Sequence, residues 1–240
     1  MVPEPSDTDE RADAVELLAL VATLEDHAFT RFAADAVNAP TAEQRLTRSR
    51  LAALAVARRD RVLDRLVELG GDLVGQMARF DRVLDDLDAR TQPATWTERL
   101  LKGYVGYGIS DDFCRLAAWG VDPQSRDLVL DVLDDADHVE PAVAALSDAC
   151  ADDETLASRL ALWGRRVVGE SLQTVSRLLE SQPGLARLAG QGLLATRATD
   201  GPDASDAAIG DVAPELPPSR VLNELTAEHT RRMSTLSLTA

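Results

Sequence analysis

The sequence predicts an all-α fold of four long helices in two pairs, with an extended crossover between the second helix and the third. Three observations carry this expectation. Ala, Leu, Arg, Asp and Glu dominate the chain, a composition rich in strong helix formers. No segment joins alternating apolar and polar residues to β-branched enrichment, as a half-buried strand would require. Pro40 and the Gly70-Gly71 pair divide the first part of the chain into long segments, within which apolar residues recur at helical spacing.

The first helix is expected from Glu10 to Val37 and ends before Pro40, which cannot continue it. Thr41-Ala42-Glu43-Gln44 resembles a capping box, and the second helix runs on to Leu69 before the glycine pair. A shorter crossover helix, Val74 to Ala89, carries Phe80, Val83, Leu84 and Leu87 on one face. The third helix spans Thr95 to Trp119, the fourth Pro123 to Ser147 and the fifth Asp153 to Leu179, with another short helix over Leu185 to Leu194. Between Thr196 and Pro218 the chain is rich in Asp, Ala, Gly and Pro and reads as a flexible acidic loop. Ser219 then caps a last helix with Val221, Leu222, Leu225, His229 and Met233 on its inner face. The domain reading is a flexible tail over 1–9, a bundle over 10–195, the loop over 196–218, and a C-terminal helix over 219–240 that packs on the bundle.

A formal charge of −16 argues against a nucleic-acid partner, whose phosphates need a positive surface. Neither a membrane span nor a signal peptide is evident, so a cytoplasmic protein is expected. Cys114 and Cys150 fit no zinc spacing and no disulfide framework. Lys102 is the single lysine among 25 basic residues, so positive charge is almost entirely guanidinium.

Polar residues at inward positions are the candidates for chemistry. In the first helix, Leu18, Val21, Glu25, Phe29 and Phe32 follow the spacing of a buried stripe that contains one carboxylate. The second offers Leu51, Ala55, Arg58, Val62, Leu66 and Leu69, so its inward polar group is an arginine. On the third, Leu100, Tyr104, Tyr107, Asp111, Cys114 and Ala118 share a face, which turns Asp111 inward and Asp112 outward. On the fourth, Leu128, Val132, Asp135, Val139, Ala142 and Leu146 place Asp135 at the centre, with His138 three residues on. Glu25, Asp111, Asp135 and His138 are therefore the candidate metal ligands. A buried carboxylate without a cation costs several kcal/mol, so either a metal or Arg58 must neutralise them. Gly103, Gly106 and Gly108 lie within a helical pattern and mark close packing, not a phosphate loop. For Glu170 the expected partner is Arg166, four residues earlier. His27 and His229 have no inward carboxylate at metal spacing.

KGYVGYGISDDF (102–113), LALWGRRVVGES (160–171) and AEHTRRM (227–233) resemble the actinobacterial ferritin-like proteins grouped with tRNA-(2-methylthio-N6-isopentenyl-adenosine) hydroxylase. The resemblance implies a ferritin-like four-helix bundle with a crossover helix and additional C-terminal helices. It also implies a diiron site with one carboxylate from each of two helices and a Glu-x-x-His pair from each of the others. Glu25 matches the first carboxylate, and Asp135 with His138 matches one pair with Asp in place of Glu. The other half fails: Ala55 and Arg58 stand where the second pair is expected, and Tyr107 where relatives carry an acid. Two functions follow as expectations. The first is a non-catalytic or unconventional ferritin-like protein, without cofactor, in which Arg58 pairs with Glu25 and Asp135 in place of the metal and no residue is assigned as catalytic. The alternative is a non-haem iron-dependent hydroxylase with a reduced site of Glu25, Asp111, Asp135 and His138. The partner is expected to be an unknown protein or small molecule, and analogy suggests a homodimer through a helix face.

Overall fold

The computed structural model describes residues 7–134, 139–200 and 217–236. α1 (Asp7–Asn38) and α2 (Ala42–Glu68) form a long antiparallel hairpin. The Thr41 side chain accepts a hydrogen bond from the Gln44 amide at 3.2 Å, which supplies the N-cap of α2. Gly70 follows α2 with φ of +75°, a left-handed conformation that favours glycine. The crossover holds two short helices, α3 (Leu73–Ala78) and α4 (Asp85–Arg90), in place of the single expected one. Phe80, between them, and Leu87 of α4 are buried and anchor the segment.

α5 (Trp96–Ala118) begins with a complete capping box, in which Thr95 receives the Glu98 amide and the Glu98 carboxylate receives the Thr95 amide. It is the central strut, packing on α1, α8, α9 and α10 as well as on α6 (Pro123–Asp134) and α7 (Val139–Cys150). The fourth expected helix thus corresponds to α6 and α7, with 135–138 outside the described residues. Val139 is exposed and does not continue the inward stripe, whereas Val132, Ala142 and Leu146 do.

The first half of α1 is buried on every side from Asp13 to Thr23, because α2, α3, α5, α6 and α9 enclose it. An all-round apolar run such as Leu17-Leu18-Ala19-Leu20-Val21-Ala22 fits that position, and each buried leucine contributes about 2 kcal/mol. Further along, the inner stripe runs through Glu25, Ala28 and Phe32, while Phe29, expected inside, is 38% exposed.

α8 (Glu154–Ser181) lies against α5 and α4, and α9 (Pro183–Asp200) is much longer than expected. α9 crosses α5 closely: a Cβ on Gly192 would stand 1.9 Å from the Leu116 carbonyl oxygen. α10 (Pro218–Thr235) buries Val221, Leu225, His229 and Met233 against the bundle. Among the described residues no helix is long and apolar enough to cross a membrane.

Candidate functional site

Glu25 on α1 and Arg58 on α2 meet in the interior. Nε and Nη2 of Arg58 each approach Glu25 Oε2 at 3.0 Å, and the residues are 4% and 8% exposed. Their helices make the encounter inevitable: each residue replaces an apolar side chain in the buried stripe of its own half of the hairpin. A charge-assisted pair removed from water must keep both partners, since either alone is an uncompensated buried ion. Beside it, Arg59 reaches Asp26 at 2.7 Å on the more accessible flank of the same hairpin.

Asp111 and Tyr107 of α5 complete the site. They line, with Glu25, Ala28, Phe32, Arg58, Val132 and Leu133, a cavity of about 10 Å³. That is room for roughly one water-sized sphere. Burial, and then the charge of Glu25, push the Asp111 carboxyl up to about 7 from its ordinary 3.8. Burial also raises the Tyr107 phenol, against the opposing charge of Arg31. One turn on from Asp111, the buried Cys114 thiol is pushed far upward by burial and by Asp111, which leaves it inert as a nucleophile.

Among the described residues, the donors at this cavity fall short of the diiron set that four-helix bundles can hold. Two irons need bridging carboxylates and imidazoles from several helices. α2 offers Ala55, which is fully buried, and the permanently cationic Arg58. Tyr107 supplies a neutral phenol, and the cavity has no room for two ions. Among the described residues no group of three or more His, Cys, Asp or Glu side chains is placed to hold a metal ion. The structure thus brings Glu25, Arg58 and Asp111 to one cavity, while Asp135 and His138 lie outside the described residues.

Two expectations on this face are corrected. Asp112 is not solvated: α10 covers it, and Nη2 of Arg232 donates to its two carboxylate oxygens at 2.9 and 2.8 Å. Glu170 pairs with Arg90 at 3.3 Å, not with Arg166, because α4 docks across α8. Two of the three α5 glycines mark close approach, to arginine side chains: a Cβ on Gly103 would stand 2.0 Å from Arg31 Nη1 and one on Gly108 2.4 Å from Arg232, whereas at Gly106 the nearest atoms lie 4.0 Å away.

A family model described as a ferritin-like domain of actinomycetes matches residues 9–192. The chain belongs to this family. No curated protein matches it. The match spans most of this ferritin-like protein and ends within α9, so α10, which supplies Arg232 to Asp112, lies beyond the matched segment.

A second group of polar residues in this ferritin-like protein escaped the sequence reading. Asp35 of α1 is 2% exposed, with Arg31 at 3.8 Å and Arg99 of α5 at 3.6 Å. Arg31 stacks its guanidinium over the Phe32 and Tyr107 rings at 4.5 and 4.3 Å. Arg48 of α2, 5% exposed, faces Phe32 and Trp96. The available signal was weak: Arg31 and Asp35 are four apart on one helix, a spacing usually found on a solvated face.

Proposed function

We propose that this protein is a ferritin-like relative of the tRNA-(2-methylthio-N6-isopentenyl-adenosine) hydroxylase group whose interior acidic site is neutralised by Arg58 in place of iron, and that it works by binding instead of by oxygen activation. The observation that carries this reading is the double contact of the Arg58 guanidinium with Glu25, at 3.0 Å and away from solvent. A guanidinium supplies the charge that the carboxylate requires, and it cannot lose its proton to make way for a metal. With Ala55 beside it, the α2 face has nothing to bridge two ions. Asp111 then needs no cation, because burial holds it largely protonated below neutrality.

Iron quantification of protein expressed in iron-replete medium tests the reading. Substoichiometric iron and no oxygen uptake with reductant are expected, whereas two irons per chain overturn it. The alternative, an iron-dependent hydroxylase, draws support from the convergence of Glu25 and Asp111 on one cavity. It requires one iron per chain that is lost in Asp111→Asn.

A further inference from the structure

We propose that the recess between the middle of α1, residues 84–93 and the first half of α5 binds a small organic acid: a carboxylate on a compact apolar body. The recess encloses about 270 Å³, near the lower end of the range for small-molecule sites, and Tyr107 separates it from the Glu25 and Arg58 cavity. The proposal therefore stands whether or not the acidic cavity ever holds metal.

The recess runs against the charge of the chain. The protein carries a formal −16, yet here Arg31, Arg99 and Lys102 line the walls, with Arg48 behind them. They face two carboxylates, Asp35 and Asp88. Asp88 is engaged by Lys102 at 2.6 Å. Asp35 is left to balance the arginines, and it does so loosely: its contacts with Arg31 and Arg99 are 3.8 and 3.6 Å, longer than hydrogen bonds. Arg31 Nε and Asp35 Oδ2 are buried without a hydrogen-bond partner. Other arginine pairs with buried carboxylates are closer, as Arg58 is with Glu25 at 3.0 Å and Arg187 with Asp13 at 2.9 Å. Surplus guanidinium charge along the walls of an open cavity is the feature that an anion satisfies.

The shape selects the anion. Planar guanidinium forks match a carboxylate in two-pronged geometry. Around them Leu84, Leu87, Pro93 and the Tyr107 side chain offer apolar walls, with far more apolar than polar surface. The walls carry three cations against two carboxylates, and that excess of one suits a monoanion better than a polyphosphate. Gly103 is part of the construction, since a side chain there would displace the Arg31 guanidinium.

Calorimetric titration of the full chain with sodium benzoate, sodium hexanoate, benzamide and inorganic phosphate tests the site. Saturable binding of benzoate or hexanoate is expected, with benzamide silent and phosphate at least about tenfold weaker. Arg31→Met and Arg99→Met should each weaken the acid by about tenfold or more, with circular dichroism confirming the fold. Arg99, one-third exposed, is the variant that tolerates replacement should Arg31→Met unfold. Arg61→Met, on a distant surface, should leave binding unchanged. The proposal is overturned if neither acid binds at millimolar concentration, if benzamide binds equally, if phosphate matches the acids, or if both arginine variants bind as the parent does.

Discussion

The Glu25 and Arg58 pair and the Asp35 recess share helix α1 and lie on either side of Tyr107, and they treat charge in opposite ways. In the first, one guanidinium meets one carboxylate at hydrogen-bonding distance in a cavity with room for about one water. In the second, several guanidinia share one buried carboxylate at longer range beside an open volume of about 270 Å³. A closed pair serves the stability of the bundle, and a loose cluster leaves donors for a visitor. What separates them is arithmetic of charge more than composition, since both are built from Arg and acid.

The largest effect should come from opening the closed pair. Arg58→Ala leaves Glu25 buried and unpaired, and should cost about 3–5 kcal/mol in urea unfolding. The double variant Arg58→Met with Glu25→Gln should recover part of that loss, because it removes both ions together. A double variant no more stable than Arg58→Ala would show that the pair is not coupled.

Next in size are the glycine contacts. Gly192→Ala drives a methyl group into the Leu116 backbone, which cannot move aside, and should destabilise by about 1–3 kcal/mol. Gly103→Ala meets only the mobile end of Arg31. Helix propensity gains up to about 1 kcal/mol there, so stability should change little. Acid binding in the recess should nevertheless weaken, because the added methyl displaces the Arg31 guanidinium.

Two buried groups give opposing pH dependence. Asp111, raised to about 7, costs nothing where both states are protonated, and its destabilisation builds as pH rises from about 4 to about 7. His229 is lowered by burial and then by Arg232, to about 4 from 6.5; its stability is complete above 6.5 and is lost as pH falls towards 4. Each slope is worth a few kcal/mol at most, and in the parent they largely cancel. Asp111→Asn should therefore gain stability as pH rises from about 4.5 to 6.5, whereas His229→Gln should lose it. Matching flat profiles in both variants would contradict these assignments. The smallest effect belongs to the exposed pair of Arg61 with Asp131, where Arg61→Ala should cost under about 1 kcal/mol.

Much of this was legible from periodicity alone. The inward stripe of α2 and the inner face of α10 follow directly from helical spacing, whereas the first half of α1, buried on every side, has no single stripe. Phe29 was misplaced because a helix drifts against a repeated four-residue step, so the stripe takes Ala28 after Glu25 and leaves Phe29 outside. Asp112 could not be read locally: its cover is an arginine 120 residues later in the chain. The recess was missed for a similar reason. Arg31, Arg48 and Arg99 come from three helices, and each looks like ordinary surface charge until the helices pack.

In the proposed reading, the Arg58 guanidinium occupies the place of a metal between the bundle helices. Anomalous diffraction at the iron edge, on crystals grown with excess ferrous iron, tests it most directly. No iron peak is expected between Glu25 and Asp111, with continuous density from Arg58 to the Glu25 carboxylate. An ordered iron there, with Arg58 swung away, would contradict it.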